Sequence, residues 1–102
     1  VKNLNTTDQG RNVRHGHQAG YLNQGDGAIA IGREAGRFSQ ISGAISIGEF
    51  AGYQDQGNDC IAVGGGSGQE YQKEGAIAVG ANAGKNNQGQ LAIAIGGNSG
   101  ES

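Results

Sequence analysis

The sequence predicts an all-β fold, a parallel β-roll or β-solenoid built from coils of sixteen residues. One observation is a pentapeptide of alternating small and branched residues that occurs five times at a spacing of sixteen. Two glycine columns and one glutamine column recur at the same spacing. A period this short is typical of a stacked array, in which one coil cannot bury its apolar face alone. The pentapeptides begin at Ala28, Ala44, Cys60, Ala76 and Ala92.

Residues 1–11 precede the regular array and are interpreted as a lead-in segment, followed by a repeat domain over residues 12–102. We number the repeat so that Ala28 is column one, which places the starts of the coils near residues 12, 28, 44, 60, 76 and 92. The first coil is degenerate, because Val13 is the only apolar residue of its strand. In the other coils, the period of two predicts one short strand in each pentapeptide.

Columns five and nine are glycine in six coils, and column thirteen is glutamine in five. Two fixed glycines per coil predict two bends, and therefore a flattened coil with two short strands. Such coils form hydrogen bonds along the rod axis, with strands about 4.8 Å apart. We expect an amide ladder in which each glutamine bonds the backbone at a bend and the amides above and below it. The column consists of Gln24, Gln40, Gln56, Gln72 and Gln88.

The two faces of the main strand differ in side-chain size. We predict that the branched residues of columns two and four fill the interior, which leaves columns one and three as a smooth outer stripe; the sequence also allows the opposite assignment. Ten Ile and Val side chains make a thin core for 102 residues, so copies of the chain are expected to pack along the small-residue stripe. Candidate interface residues are Ala28, Ala30, Ala44, Ser46, Cys60, Ala62, Ala76, Ala78, Ala92 and Ala94.

The composition argues against several functional classes. The net charge is −2 and no basic run is present, so a nucleic-acid partner is not expected. No apolar stretch is long enough to cross a membrane, and no signal peptide is visible. The single cysteine, Cys60, permits no intrachain disulfide. His15 and His17 could ligate a metal if copies of the chain converge, but a frayed first coil explains them better, and no metal or cofactor is predicted.

The pattern Ala-Ile-Ala-Ile-Gly-x-x-Ala-Gly, seen at residues 28–36, resembles the head repeats of trimeric autotransporter adhesins of the YadA-like type. Similar repeats occur in fibre and surface proteins of viruses that infect microbes. The resemblance covers residues 12–102 and implies a left-handed parallel β-roll, three chains around one axis, and a surface-exposed head that adheres to host molecules. The unit here is longer than the typical adhesin repeat, and no neck motif, stalk or anchor is present.

All five aromatic residues lie outside the fixed columns. They form either a contact surface for a receptor or a cover for bends and neighbouring chains. Arg33, Glu34, Arg37 and Glu49 share these outward columns and are expected to form a solvated charged face. The candidate receptor-contact residues are Tyr21, Phe38, Phe50, Tyr53, Tyr71 and Arg37.

These observations predict a non-enzymatic head or shaft segment of a homotrimeric fibre, which attaches to a host surface protein or glycan. The expected location is extracellular, on a cell surface or a virion. Because the chain starts at Val and stops within a repeat, it looks like a piece of a longer protein. One alternative is a purely structural spacer. Another is an ice-binding solenoid, although no outward threonine column is present.

Overall fold

A computed structural model describes residues 12–100, and over this range the chain winds into a parallel β-solenoid of about five turns. Ile29 pairs with Ile45, and Ile45 pairs with Ile61, so each coil advances the register by sixteen residues. The all-β class, the parallel pairing and the sixteen-residue coil are therefore confirmed. The predicted lead-in of residues 1–11 lies outside the described residues, as do residues 101 and 102.

Residues 12–100 contain nine strands of three residues each, and these form two sheets. The strands are β1 (Val13–His15), β2 (Ile29–Ile31), β3 (Phe38–Gln40), β4 (Ile45–Ile47), β5 (Gln54–Gln56), β6 (Ile61–Val63), β7 (Glu70–Gln72), β8 (Ile77–Val79) and β9 (Ile93–Ile95). The first sheet has the order β1-β2-β4-β6-β8-β9, and the second has the order β3-β5-β7. Single bridges from Leu22 to Phe38 and from Glu70 to Asn86 extend the second sheet by one coil at each end.

The two fixed glycine columns lie on either side of a single bend. In the third coil the chain leaves β4, turns from Gly48 to Gly52, and enters β5 at Gln54. The other bend is a short turn at Asn58 and Asp59, in columns fifteen and sixteen. The prediction of two bends and two strands per coil is right, but the assignment of one fixed glycine to each bend is wrong.

Column five is glycine because successive coils touch backbone to backbone at this position. Gly48 has a φ of 124°, which a side chain disfavours strongly. A Cβ atom on Gly48 would also lie 2.8 Å from the carbonyl carbon of Gly64 in the next coil. The conformation and the stacking distance therefore both require the absence of a side chain.

The small residues, and not the branched ones, face the interior of the coil. Ala30 and Ala62 in column three are fully buried, as is Ala35 in column eight. The branched residues point outward, and Ile47 exposes 37% of its surface. The assignment of columns two and four to the interior, and of columns one and three to an outer stripe, is therefore wrong.

The predicted interface residues are therefore not on the surface of the chain. Nine of the ten are at most 2% exposed, and the tenth, Ala92, is half-buried. They line the inside of the coil and offer almost no area to a second chain. The ten residues are Ala28, Ala30, Ala44, Ser46, Cys60, Ala62, Ala76, Ala78, Ala92 and Ala94.

The physical reason is that the interior is too narrow for branched side chains. At Gly36, a Cβ atom would lie 2.7 Å from the carboxamide carbon of Gln40, and at Gly84 the same contact with Gln88 would be 2.8 Å. An interior that cannot take one more methyl group at these positions has no room for the Ile and Val columns. The branched residues stay in the strands, where their β propensity is favourable, and point away from the coil.

The glutamine column forms the predicted amide ladder inside the coil. Gln40 and Gln56 are fully buried, and Gln72 is 1% exposed. Gln56 donates from Nε2 to the Ile45 carbonyl at 2.8 Å and to Gln72 Oε1 at 3.2 Å. Gln72 in turn donates to Gln88 Oε1 at 3.0 Å. The buried amides are thus hydrogen-bonded to the backbone and to each other, as burial of polar groups requires.

Two residues of column three modify the ladder. Ser46 replaces alanine in the third coil, where its hydroxyl lies 3.2 Å from Gln40 Nε2 and donates to Gln56 Oε1 at 2.6 Å. Arg14 holds the same column in the first coil and donates from Nη1 to Gln24 Oε1 at 3.0 Å. The glutamine amides donate toward the following coil. Gln24 is the first glutamine of the column, so Arg14 donates to its Oε1 atom in place of a preceding glutamine.

The stacking of column five predicts a large difference between two glycine substitutions. Gly48→Ala should lower the free energy of unfolding by about 3 kcal/mol or more, because the new methyl group meets the next backbone at a positive φ. Gly89→Ala should change it by less than about 1 kcal/mol, because a Cβ there has no neighbour within 4 Å. Urea unfolding at one protein concentration, followed by circular dichroism, measures both; equal effects would contradict the stacking.

The amide ladder predicts a second difference. Gln56→Leu should lower the free energy of unfolding by about 3 kcal/mol, because it strips partners from several buried polar groups at once. Ser46→Ala is the matched control and should cost less than about 1 kcal/mol, since alanine occupies this column in the neighbouring coils. The same urea unfolding experiment measures both variants. A harmless Gln56→Leu would show that the ladder does not stabilise the coil.

Candidate binding surfaces

The outward side chains of the first sheet form a continuous ladder of branched residues along the rod. Columns two and four contribute one residue each per coil, paired in register with those of the next coil. Exposure is partial in the central coils and reaches 67% at Ile93 and 65% at Ile95. We call this surface the apolar face. It consists of Val13, Ile29, Ile31, Ile45, Ile47, Ile61, Val63, Ile77, Val79, Ile93 and Ile95.

One end of the apolar face carries a histidine. β1 pairs with β2 so that Val13 lies beside Ile29 and His15 beside Ile31. His15 therefore takes the position that a branched residue holds in the later coils, and both His15 and His17 are exposed. Within residues 12–100, no three His, Cys, Asp or Glu side chains stand together in a way that could hold a metal ion.

A second surface lies at the bend between the two sheets, in the first three coils. Columns six and seven of the bend meet columns ten and eleven at the start of the second sheet. In the later coils the bend carries much smaller residues, such as Gly65, Gly66 and Ala81. We call the cluster in the first three coils the aromatic corner. It consists of Tyr21, Arg33, Glu34, Arg37, Phe38, Glu49, Phe50 and Tyr53.

Arg37 is the centre of the aromatic corner. Its guanidinium carbon lies 4.7 Å from the ring centroid of Phe38, 5.7 Å from that of Tyr21 and 6.0 Å from that of Tyr53. Arg37 Nη1 also donates to Glu34 Oε1 at 2.8 Å and to the Tyr53 hydroxyl at 3.3 Å. Tyr21, Arg37 and Tyr53 share column ten, so the coil register itself stacks the cation between two rings.

Further ring contacts and a second ion pair extend the corner around the bend. The Tyr53 ring meets those of Phe38 and Phe50 edge to face, with centroids 5.4 and 5.5 Å apart. Arg33 lies 5.8 Å from the Phe50 centroid and pairs with Glu49 at 3.0 Å. The Arg33 and Glu49 side chains are 60% and 53% exposed, so solvent weakens this pair and it adds little stability.

The expectation of a solvated charged face is wrong for Arg37, whose side chain is 23% exposed, and for Glu34. The Glu34 side chain is only 12% exposed, and it lies between Arg37 and the Arg33 Nε atom at 3.7 Å. Burial of this carboxylate is tolerated because two guanidinium groups compensate its charge. The Nε atom of Arg37 is also buried, with no hydrogen-bond partner in the described part of the chain.

The structure gathers five of the six predicted receptor-contact residues into the aromatic corner. The sixth, Tyr71, lies apart in β7 of the second sheet and is 45% exposed. Whether any of the six contacts a receptor stays a prediction. The five gathered residues are Tyr21, Phe38, Phe50, Tyr53 and Arg37.

The predicted receptor-contact set does not include Arg33, Glu34 or Glu49. One signal for the cluster was present in the sequence, because Arg33 and Glu49 carry opposite charges and are separated by one period of sixteen. Residues in the same column of adjacent coils stack on each other, so such a pair predicts an ion pair directly. The role of Glu34 could not be found in this way, because its main partner Arg37 lies three residues away, across the bend.

Three large hydrophobic side chains within residues 12–100 occupy left-handed backbone positions. Phe50, Tyr71 and Leu91 have φ angles of 61°, 59° and 60°. Asn82 stands in the column of Phe50 and Asn87 in that of Tyr71, and asparagine tolerates this conformation. The left-handed region costs an ordinary L-residue roughly 1 kcal/mol. Large residues at these positions therefore carry a backbone cost that asparagine or glycine would reduce.

Cys60 has the environment of an inert buried thiol. It is fully buried, and Sγ donates to the Lys73 carbonyl at 2.7 Å. Burial raises the pKa of the Cys60 thiol above its ordinary value, so less thiolate forms at neutral pH. Its position in column one of the interior matches that of alanine in the neighbouring coils.

Comparison with protein-family models, with curated proteins and with solved structures found no match to this chain. Within residues 12–100, no helix has the length and apolar character needed to cross a membrane.

The backbone cost at Tyr71 predicts a stabilising substitution. Tyr71→Asn should raise the free energy of unfolding by about 0.5 kcal/mol, because asparagine accepts the left-handed conformation more readily. Tyr53→Asn is the control, since its φ is not positive and it loses two ring contacts, which should cost about 1 kcal/mol or more. Urea unfolding of both variants tests this difference. A loss of stability in Tyr71→Asn would argue against the proposed backbone cost.

Proposed function

We propose that this chain is a non-enzymatic head or shaft segment of a homotrimeric fibre on a cell or virion surface, which attaches the fibre to a host surface. The resemblance to YadA-like head repeats supports this proposal, and it adds a left-handed winding and a three-fold axis. The observation that carries the proposal is the apolar face, which occupies one side of the protomer along all six strands of the first sheet.

The apolar face supports association because it contains most of the large apolar side chains of the protomer. The interior holds alanine, serine, cysteine and glutamine, while the branched residues remain partly or largely exposed. A contiguous apolar surface on a soluble protein usually marks an interface. Packing such faces together would supply the burial that the narrow coil lacks.

A second copy of the same chain is the partner that fits this face best. The branched residues recur at the spacing of the coils, about 4.8 Å along the rod. A copy of the chain has the same spacing, so its branched residues can pack against those of the first copy, coil by coil, along the whole rod. The corrected interface therefore consists of columns two and four, and the alanine columns that were predicted to form it act inside each protomer.

The aromatic corner supports the attachment part of the proposal. Its residues lie in columns six, seven, ten and eleven, whereas the proposed interface consists of columns two and four, so the two surfaces share no residue. Its rings and its exposed Arg33 and Glu49 side chains offer both apolar and hydrogen-bonding contacts. The partner would be a host surface protein or a glycan.

A rigid structural spacer is the second candidate, and one observation favours it for the later coils. After the third coil, the positions equivalent to the aromatic corner are mostly small or polar, including Gly65, Gly66 and Asn82. That half of the rod offers length and stiffness without an obvious contact surface. Binding of intact trimers to host cells or to a glycan array would support attachment, whereas complete absence of binding would favour the spacer.

The trimer proposal is tested with two isoleucines of similar exposure on different surfaces. Ile47, 37% exposed, lies in the apolar face, whereas Ile41, 45% exposed, lies at the other bend. Ile47→Arg should weaken association by at least about 3 kcal/mol, because it buries a charge without a partner. Ile41→Arg should leave association unchanged.

Sedimentation equilibrium at low micromolar concentration measures the mass of each variant. Wild type and Ile41→Arg should have three times the protomer mass, and Ile47→Arg should be smaller. A folded wild-type monomer at this concentration would contradict the proposal, and a dimer would contradict the three-fold arrangement. Equal dissociation of the two variants would show that the apolar face is not the interface.

A further inference from the structure

We propose that the aromatic corner is a carbohydrate-binding site whose ligand is a neutral glycan, with a sugar ring lying against Tyr21. This inference rests on the proposed attachment function and names the class of receptor. Its basis is the combination of a fixed exposed ring, internally paired charges and an exposed polar rim in one small area of the rod.

The charges of the aromatic corner argue for a neutral ligand. Arg37 pairs with Glu34 at 2.8 Å, and Arg33 pairs with Glu49 at 3.0 Å. Glu34 also faces Arg33 at 3.7 Å, so the two cations and the two carboxylates compensate each other. A sialic or uronic acid would have to displace one of these carboxylates to gain a cation of its own, whereas a neutral sugar needs no such exchange.

Tyr21 provides the stacking surface. It is 56% exposed, while the Arg37 guanidinium lies 5.7 Å from its ring centroid and limits how the ring can move. Arg37 is itself held by Glu34 and by the Phe38 and Tyr53 rings. A ring that is fixed before the ligand arrives loses little conformational freedom on binding. Sugar rings present C–H groups on one face, which pack against an aromatic ring.

The rim of the corner supplies the hydrogen bonds that hydroxyl groups require. The Arg33 and Glu49 side chains are 60% and 53% exposed, and they offer guanidinium donors and carboxylate acceptors side by side. Their mutual ion pair fixes the direction of both groups. A sugar with adjacent hydroxyls can donate to Glu49 and accept from Arg33 without breaking that pair.

The backbone at Phe50 is the third observation that favours a ligand. Phe50 has a φ of 61°, and its ring supports both Arg33 at 5.8 Å and Tyr53 at 5.5 Å. Asparagine or glycine would fit this turn position better. Phenylalanine at this position therefore keeps the charged rim and the ring cluster in place at a cost to the fold, as residues at binding sites often do.

A panel of immobilised oligosaccharides tests the proposal. It contains neutral tetramers of glucose, galactose and mannose, together with acidic members that carry sialic or uronic acid. The full chain should bind at least one neutral member and prefer it over its acidic counterpart by tenfold or more. Three copies per trimer, if the trimer forms, would raise the apparent affinity without changing this preference.

Variants at Tyr21 locate the site. Tyr21→Ala should lower affinity for the neutral member tenfold or more, and Tyr21→Phe should retain it, because stacking needs the ring and not the hydroxyl. Ile41→Ala is the control, because it removes a large exposed side chain at the other bend, outside the corner, and should leave binding unchanged. If Tyr21→Ala fails to fold, titration of the wild type with the neutral tetramer should shift the Tyr21 ring resonances in NMR spectra.

The outcomes separate this inference from the attachment function. Binding of host cells without binding of any neutral sugar would overturn the glycan inference and keep attachment through a protein. Binding confined to acidic sugars, or unchanged by Tyr21→Ala, would overturn the inference as well. Failure to bind both cells and sugars would overturn the attachment function together with it.

Discussion

The width of the coil interior determines where the other side chains can go. Only alanine-sized residues and the flat carboxamide of glutamine fit between the two short sheets, as the packing of Gly36 against Gln40 shows. The branched residues are therefore placed on the outside of the strands, although they are the best strand formers in the sequence. A protomer with this arrangement folds around hydrogen bonds more than around apolar burial. Its amide ladder and its coil-to-coil backbone bonds replace part of what a larger core would supply.

Period and register could be predicted from the sequence, because a fixed repeat allows only stacked copies of one unit. The glutamine column likewise indicated an amide ladder and the glycine columns indicated bends; both are present, although the backbone contact between coils at column five was not predicted. The direction of the strand faces could not be predicted by ranking residues by hydrophobicity. Alternation shows that two faces differ, but it does not show how much space lies behind each. Here the available volume determines which strand face points into the coil, so Ala is inside and Ile is outside, the reverse of the usual arrangement.

The candidate site was predictable as a set of residues but not as a cluster. The aromatic residues stood out because they avoid the fixed columns, and column ten alone places Tyr21, Arg37 and Tyr53 in one stack. The contacts across the bend depend on its path, and that path uses left-handed residues such as Glu34 and Phe50. The residue types of Glu34 and Phe50 do not indicate a positive φ, because this conformation is usually adopted by glycine and asparagine. The burial of Glu34 depends on this path, so it could not be predicted from the sequence alone.

The fixed columns of the repeat are explained by the fold, whereas the columns of the bend vary from coil to coil and need a different explanation. The bend accepts Gly66 and Asn82 in the column where Phe50 stands, so folding does not require an aromatic residue there. Its edge-to-face contact with Tyr53 is worth about 0.5–1.5 kcal/mol, and its left-handed backbone costs roughly 1 kcal/mol. These two contributions nearly cancel, so the ring pair alone does not explain why phenylalanine stands in this bend and not in those of the later coils. A contact beyond the chain, as proposed for the aromatic corner, would account for such a residue.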